Sequence, residues 1–203
     1  MDKEYNGPGI SFGKVKMTEK IIIAGSGGQG AMLLGKVLAA AALLEHKYVT
    51  WLPSYGAEVR GGTAHCMVVI SDDEIGSPYI DKADTFLALN KPSLEKFLSR
   101  LKSGGLLVIN SSLVSSDEGY RGKILRHPFT DMANGLGNIK VANMIMLGCY
   151  LAKNRIIDIM SVLKAMEDIS PDDKKSLIEI NKKALFLGRD LLKGTNDTSK
   201  IRS

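Results

Sequence analysis

The sequence predicts a Rossmann-like α/β fold, with a mainly parallel sheet, helices on both faces and a helical C-terminal third. A β-branched run at Ile21–Gly25 ends in glycines and is followed by an Ala/Leu-rich stretch at Ala31–Glu45, which is typical of strand, loop and helix. Near-continuous apolar runs at 85–90 and 106–111 indicate strands that are covered on both faces. Beyond residue 140, apolar residues recur every three or four positions, which predicts helices.

The other elements follow from the same patterns. The sequence predicts strands at 48–52, 64–71 and 123–126, and helices at 92–102, 141–153, 156–167 and 171–192. Because too few residues precede the strand at 64–71 for a crossover helix, we expect that strand to be antiparallel to its neighbours.

The 203 residues suit one globular unit. We expect a single domain over 18–193, a flexible Gly/Pro-containing lead-in at 1–17 and a polar tail at 194–203. No apolar run approaches the roughly 20 residues that a membrane helix needs, and the N-terminus is polar. The expectation is therefore a cytoplasmic chain that does not contact a membrane.

Composition excludes several classes of function. The net charge of +5 comes without an arginine-rich or basic-aromatic block, so we expect no nucleic-acid partner. Cys66 and Cys149 cannot supply the four thiolates of an iron–sulfur cluster or of a structural zinc site. The three histidines are scattered, and no nucleophile elbow or pair of carboxylates is apparent, so we predict neither a metal site nor a catalytic residue on this chain.

The first candidate binding segment is a glycine-rich loop between the first strand and the first helix. It has G-x-G-x-x-G spacing and consists of Gly25, Ser26, Gly27, Gly28, Gln29 and Gly30. Glycines in this place let a phosphate approach the backbone N–H groups at a helix N-terminus. The alternative is a tight crossing without a ligand. NAD is not favoured, because Thr50–Pro53 lacks the acidic residue that would hold the ribose.

The second candidate segment follows the second strand. It contains Ser54, Tyr55, Glu58, Arg60, Gly61 and Gly62. Open α/β sheets bind ligands at the carboxyl ends of their strands, where this segment is predicted to lie. Arg60 offers a forked donor to a phosphate or carboxylate, and Glu58 can orient it or reach a partner chain. The alternative is an internal Glu58–Arg60 surface pair beside a glycine turn.

Four segments carry a resemblance to a known family. They are GSGGQGAMLLGKVLAAAA from Gly25, SYGAEVRGGTAHCMVVISDDEI from Ser54, DKADTFLALN from Asp81 and NIKVANMIMLGCYLA from Asn138. In this order, from about Lys20 to about Leu192, they resemble the gamma subunit of 2-oxoacid:ferredoxin (acceptor) oxidoreductases.

The resemblance implies a multisubunit enzyme that decarboxylates a 2-oxoacid on thiamine diphosphate, transfers electrons through iron–sulfur clusters to ferredoxin and passes the acyl group to coenzyme A. It implies alpha, beta and delta-type sister subunits that hold the thiamine and the clusters. The two candidate loops would face the active-site assembly, and Arg60 with the glycine loop would help to receive the phosphates of coenzyme A or shape the cofactor cleft. The sequence of the second loop resembles that of the 2-oxoglutarate enzymes and favours 2-oxoglutarate as the substrate. The isolated chain could form a homodimer.

Two other classes of function compete with this interpretation. A stand-alone nucleotide-dependent oxidoreductase is favoured by the glycine loop and disfavoured by the missing acid after the second strand. A non-enzymatic nucleotide-binding module agrees with the lack of catalytic groups but leaves the second loop without a role.

Overall fold

The structure, a computed structural model, describes residues 16–54, 63–170 and 175–193. The predictions for 1–15 and 194–203, and Pro171 at the predicted helix start, lie outside these ranges. The strands are β1 Thr18–Ser26, β2 Tyr48–Ser54, β3 Thr63–Ser71, β4 Ala83–Ala88, β5 Leu101–Asn110 and β6 Lys123–His127. The helices are α1 Ala31–Leu44, α2 Lys91–Phe97, α3 Phe129–Gly135, α4 Ala142–Lys153, α5 Ile159–Ile169 and α6 Lys175–Asp190.

The six strands form one sheet in the order β2-β3-β1-β4-β5-β6. β1 pairs parallel with β4, and the parallel pairing continues through β5 to β6. β3 lies between β1 and β2 and is antiparallel to both, as the sequence predicted. The other five strands therefore end at the same edge, which we call the carboxyl edge, and begin at the opposite amino edge.

Side chains alternate between the two faces of the sheet and build two cores. Ile21 and Ile23 belong to the larger core, which contains residues of α1, α3, α4, α5 and α6. Ile22 and Ala24 belong to the smaller core, where the sheet is covered by α2 and by loop residues such as Ile80. The predicted arrangement with helices on both faces is confirmed, and the coverage of the two faces is unequal.

The largest errors in the predicted boundaries concern one helix and the strand that follows it. The helix predicted at 92–102 ends at Phe97, and after a single 3₁₀ turn β5 begins at Leu101 instead of residue 106. Leu101 pairs with Ala83 of β4, so sheet pairing outweighs the local helical pattern. The sequence analysis also missed α3, a seven-residue helix that carries the fully buried Phe129.

None of the helices in the described ranges is long and apolar enough to cross a membrane.

Candidate functional site

The carboxyl edge of the sheet brings the described candidate residues to the same side of the molecule. Gly25–Gly30 connects the end of β1 to α1, and β2 ends at Ser54. Ser26 pairs with Thr63, and Ser54 pairs with His65, so the first residues of β3 lie between these two strand ends. The other candidates, Tyr55, Glu58, Arg60, Gly61 and Gly62, fall in 55–62, outside the described residues.

Gln29 stabilises the glycine loop through two hydrogen bonds to Ser26 within the loop. The Gln29 side-chain Oε1 accepts a hydrogen bond from the Ser26 backbone N–H at 2.7 Å. The Gln29 backbone N–H donates in turn to the Ser26 carbonyl oxygen at 3.1 Å. Gly28 and Gly30 have φ angles of 90° and 78°, a region that favours glycine. Two of the loop's N–H groups are therefore used internally.

A buried asparagine at the end of β4 holds this loop. Asn90 Nδ2 donates to Ser26 Oγ at 2.5 Å and to Gln29 Oε1 at 3.1 Å. Its Oδ1 accepts from the Ser93 N–H at 3.0 Å and caps the N-terminus of α2. The sequence analysis did not single out Asn90. An asparagine placed between a buried strand and a Lys-Pro helix start was the available signal.

A second asparagine fixes the end of the loop where α1 begins. Asn143 is 2% exposed, and its Nδ2 donates to the Gly30 carbonyl oxygen at 3.2 Å. A Cβ atom built on Gly30 would collide with this amide group, so the close approach requires glycine. Asn143 was also missed, because it lies on α4, 113 residues further along the chain.

The first turn of α1 is left uncapped by this arrangement. Its N-cap residue is Gly30, which has no side chain to bond the first N–H groups. These N–H groups carry the positive end of the helix dipole. Gly27 and Gly28 are exposed, and a Cβ atom on either would meet nothing within 4 Å in the described structure. The geometry therefore suits an anionic group that binds outside the loop backbone.

A histidine lies close to the described part of this edge. His65 lies two residues into β3, with its ring centroid 4.5 Å from that of Phe97. Burial lowers the pKa of His65, and the charges of Lys96 and Arg100 lower it further. The imidazole is therefore neutral at pH 7 and adds no positive charge for an anion.

The two cysteines are core thiols, as the sequence suggested. Cys66 is fully buried and donates weakly to the Ala31 carbonyl oxygen at 3.5 Å. Burial raises the pKa of Cys66 and of Cys149 to about 12, so both stay protonated and are poor metal ligands. In the ranges that the structure describes, no group of three or more His, Cys, Asp or Glu side chains is placed to hold a metal ion.

Comparison with known proteins assigns the family. Residues 20–191 match the family described as pyruvate ferredoxin/flavodoxin oxidoreductase. The chain belongs to this family. The resemblance stated from the sequence motifs is confirmed by the match, which includes the glycine loop and the segment after β2.

The similar members of the pyruvate ferredoxin/flavodoxin oxidoreductase family differ in length. The 2-oxoglutarate synthase subunit KorC of Methanocaldococcus jannaschii is 35% identical over 175 residues, which cover 83% of this chain and 94% of KorC. The ketoisovalerate oxidoreductase subunit VorA of Methanothermobacter thermautotrophicus is 36% identical over 172 residues, 84% of this chain. Those residues are 36% of VorA, so this chain spans about a third of that relative.

A solved member of the family has the same fold. It is the gamma subunit of a keto/oxoacid ferredoxin oxidoreductase from Geobacter sulfurreducens, which is 30% identical and superposes with a TM-score of 0.72. The match covers 84% of this chain and 95% of the solved one.

Proposed function

We propose that this chain is the gamma subunit of a multisubunit 2-oxoacid:ferredoxin oxidoreductase in the cytoplasm. The complex would convert a 2-oxoacid and coenzyme A into acyl-CoA and CO2 and pass two electrons to ferredoxin. The observation that carries the proposal is the correspondence over nearly the full length of two separate subunits, 94% of KorC and 95% of the Geobacter gamma subunit.

The chemistry of the chain supports a division of labour with sister subunits. Its two cysteines are buried and have a pKa of about 12, so they are unsuited to hold a cluster. We therefore assign the thiamine diphosphate and the iron–sulfur clusters to alpha, beta and delta-type partners. This chain contributes the edge of the cofactor cleft and the surfaces that hold the complex together.

We propose 2-oxoglutarate as the substrate. Three KorC relatives are named as 2-oxoglutarate synthase subunits and match over 94–97% of their own length. The VorA relatives are 36% and 35% identical, against 33–35% for these KorC relatives, but they match over only 36% of their own length. The substrate to compare with 2-oxoglutarate is therefore 3-methyl-2-oxobutanoate.

We assign Gly25–Gly30 and Ser54–Gly62 to the cleft side of the chain. The uncapped first turn of α1 supports this assignment, because its N–H groups suit an anion such as the phosphates of coenzyme A. Arg60, outside the described residues, would add a forked donor for the same anion. The carboxyl edge is also where open α/β sheets bind ligands.

The test of the function is purification of the tagged chain from its native host. We expect thiamine-binding and iron–sulfur chains to co-purify, with reduction of ferredoxin or a viologen dye that requires both a 2-oxoacid and coenzyme A. 2-Oxoglutarate, 3-methyl-2-oxobutanoate and pyruvate are compared at equal concentration. A chain that purifies alone, as a monomer or homodimer, and stays inert when mixed with the candidate sister subunits contradicts the proposal.

The test of the loop uses the assembled complex. Gly27→Asp places a carboxylate on the exposed loop at a position where the Cβ atom meets nothing within 4 Å in the described structure, and Arg60→Ala removes the forked donor. Both substitutions should raise KM for coenzyme A by at least about tenfold while KM for the 2-oxoacid stays constant. Lys164→Ala, on the exposed face of α5, is the matched control. Unchanged coenzyme A kinetics in an intact complex would refute this role, and loss of assembly would indicate an interface role only.

A further inference from the structure

A cavity lies at the amino edge of the sheet, on the opposite side from the glycine loop. The cavity has a volume of about 530 Å³, within the roughly 300–1,000 Å³ that is typical of small-molecule sites. It is bounded by the first residues of β1 and β4, the first half of β5, the start of β6 and the residues that follow α4. The lining residues used below are Glu19, Asp84, Lys102, Lys123, Lys153 and Arg155.

One wall of this cavity is a fixed bulge in β5. Ala83 pairs with Leu101 and Thr85 with Leu106, so four residues of β5 stand opposite a single residue of β4. The Tyr120 hydroxyl lies 3.0 Å from the Lys102 carbonyl oxygen and 2.8 Å from that of Gly105, and it holds the bulge at both ends.

The glycines of the bulge are required by its shape. Gly104 has a φ of 77°, and a Cβ atom on Gly105 would lie 2.8 Å from the Asp84 carbonyl oxygen. The shape of this wall therefore depends on Gly104, Gly105 and Tyr120.

The acidic groups of the cavity are already satisfied by the protein. The two carboxylate oxygens of Asp84 accept from Lys102 Nζ and from the Lys20 backbone N–H. Glu19 is 9% exposed, and its Oε1 accepts from the Thr85 hydroxyl at 2.6 Å. Burial raises the pKa of Glu19 above its ordinary value. Both acids are therefore engaged by groups other than Lys123 and Arg155.

The basic groups carry the excess charge. Lys102, Lys123, Lys153 and Arg155 line the cavity against the two acids, so the lining is formally positive. Over the described ranges, neither Lys123 nor Arg155 has an ion-pair partner. Arg155 presents a planar fork of N–H donors, and Lys123 at the start of β6 presents an ammonium group.

We propose that this amino-edge cavity binds a small polyanion with at least two phosphate or carboxylate groups, held by Arg155 and Lys123. A phosphorylated or polycarboxylate metabolite has this chemistry. Because the site lies at the edge of the sheet opposite the glycine loop, its ligand and a ligand of the loop can be bound at the same time. The proposal does not depend on the proposed oxidoreductase function.

The test is calorimetric titration of the full chain, in the form in which it purifies, with pyrophosphate and separately with tricarballylate. Sodium chloride of equal ionic strength is the reference for non-specific screening. We expect saturable binding of one probe per chain with a dissociation constant below about 1 mM. The stronger of the two probes identifies the ligand as a phosphate or a carboxylate compound.

Variants locate the binding site. Lys123→Ala/Arg155→Ala should weaken binding by at least about tenfold, while the exposed pair Lys164→Ala/Lys183→Ala should not. Gly27→Asp, at the glycine loop, should leave this binding event unchanged. The proposal is overturned if neither probe gives more heat than chloride, if the double variant at the cavity binds like the wild type, or if Gly27→Asp abolishes the single event observed.

Discussion

Gly148 on α4 and Gly188 on α6 lie at the point where the two helices touch backbone to backbone. A Cβ atom on Gly148 would collide with the Leu185 carbonyl oxygen, and one on Gly188 would collide with the Ile145 carbonyl oxygen. Both glycines are buried, so the contact joins α6 to the larger core. The C-terminal helix is therefore held by two residues that have no side chain.

Gly148→Ala should destabilise the protein, although alanine favours a helix over glycine by about 1 kcal/mol. The methyl group would meet backbone atoms that cannot rotate away, and such overpacking costs about 1–3 kcal/mol or more. Urea unfolding should show a lower midpoint. Gly135→Ala on α3 is the control, since the structure places nothing within 4 Å of its Cβ position. Equal stability of Gly148→Ala and wild type would disprove the tight crossing.

Asn90→Ala should lower the free energy of unfolding by about 2–3 kcal/mol, because it removes the α2 cap and the two bonds that hold the glycine loop. Asn90→Ser retains a capping hydroxyl but is too short to reach Gln29, so it should recover only part of the loss. Hydrogen exchange at the Ser26 amide should accelerate in both variants. Unchanged exchange would show that Asn90 does not hold the loop.

Gly30→Ala should lower the free energy of unfolding for two reasons, and a double variant separates them. Alanine at a φ of 78° is strained by about 1 kcal/mol, and its methyl group would collide with the Asn143 amide. We expect Asn143→Ala to relieve the collision, so that Gly30→Ala costs less in the Asn143→Ala background than in the wild type. Equal costs in both backgrounds, measured by urea unfolding, would contradict the contact. Gly27→Ala is the neutral control.

The contribution of Glu19 to the stability of the protein should fall as the pH rises above the ordinary pKa of glutamate. Burial raises the pKa of Glu19 from its usual 4.5, so the folded chain keeps a proton that the unfolded chain releases. The contribution of Glu19 to the unfolding free energy therefore has a negative slope against pH from about pH 4.5 to the raised value. Glu19→Gln, which keeps an oxygen for Thr85, should remove this contribution.

Urea unfolding of both proteins from pH 4 to pH 7 measures this effect. Relative to the wild type, Glu19→Gln should gain stability as the pH rises through this range. Glu95→Gln on α2, an exposed position paired with Lys91, should show no such gain. A constant difference between wild type and Glu19→Gln at all pH values would show that Glu19 ionises like an exposed carboxyl.

The glycine loop was predictable in part. The glycine spacing of Gly25–Gly30 and its place between a strand and a helix are local features, and the structure has them where the sequence predicted. The contacts that hold the loop were not predictable, because Asn90 and Asn143 lie 64 and 113 residues from the groups that they bond. Local sequence periodicity does not predict hydrogen bonds between residues so far apart in the chain. The cavity at the amino edge was not predicted either, because its lining residues come from five separate segments of the chain.

The sequence by itself determined the α/β class, the antiparallel β3 and the family, because apolar periodicity, glycine spacing and connection length are all properties of neighbouring residues. Only the tertiary structure decided where β5 begins, that Phe129–Gly135 is helical and which asparagines hold the glycine loop by hydrogen bonds. Each of these depends on strand pairing, burial or hydrogen bonds between distant segments. Those interactions outweigh local preferences of a few tenths of a kcal/mol to about 1 kcal/mol per residue.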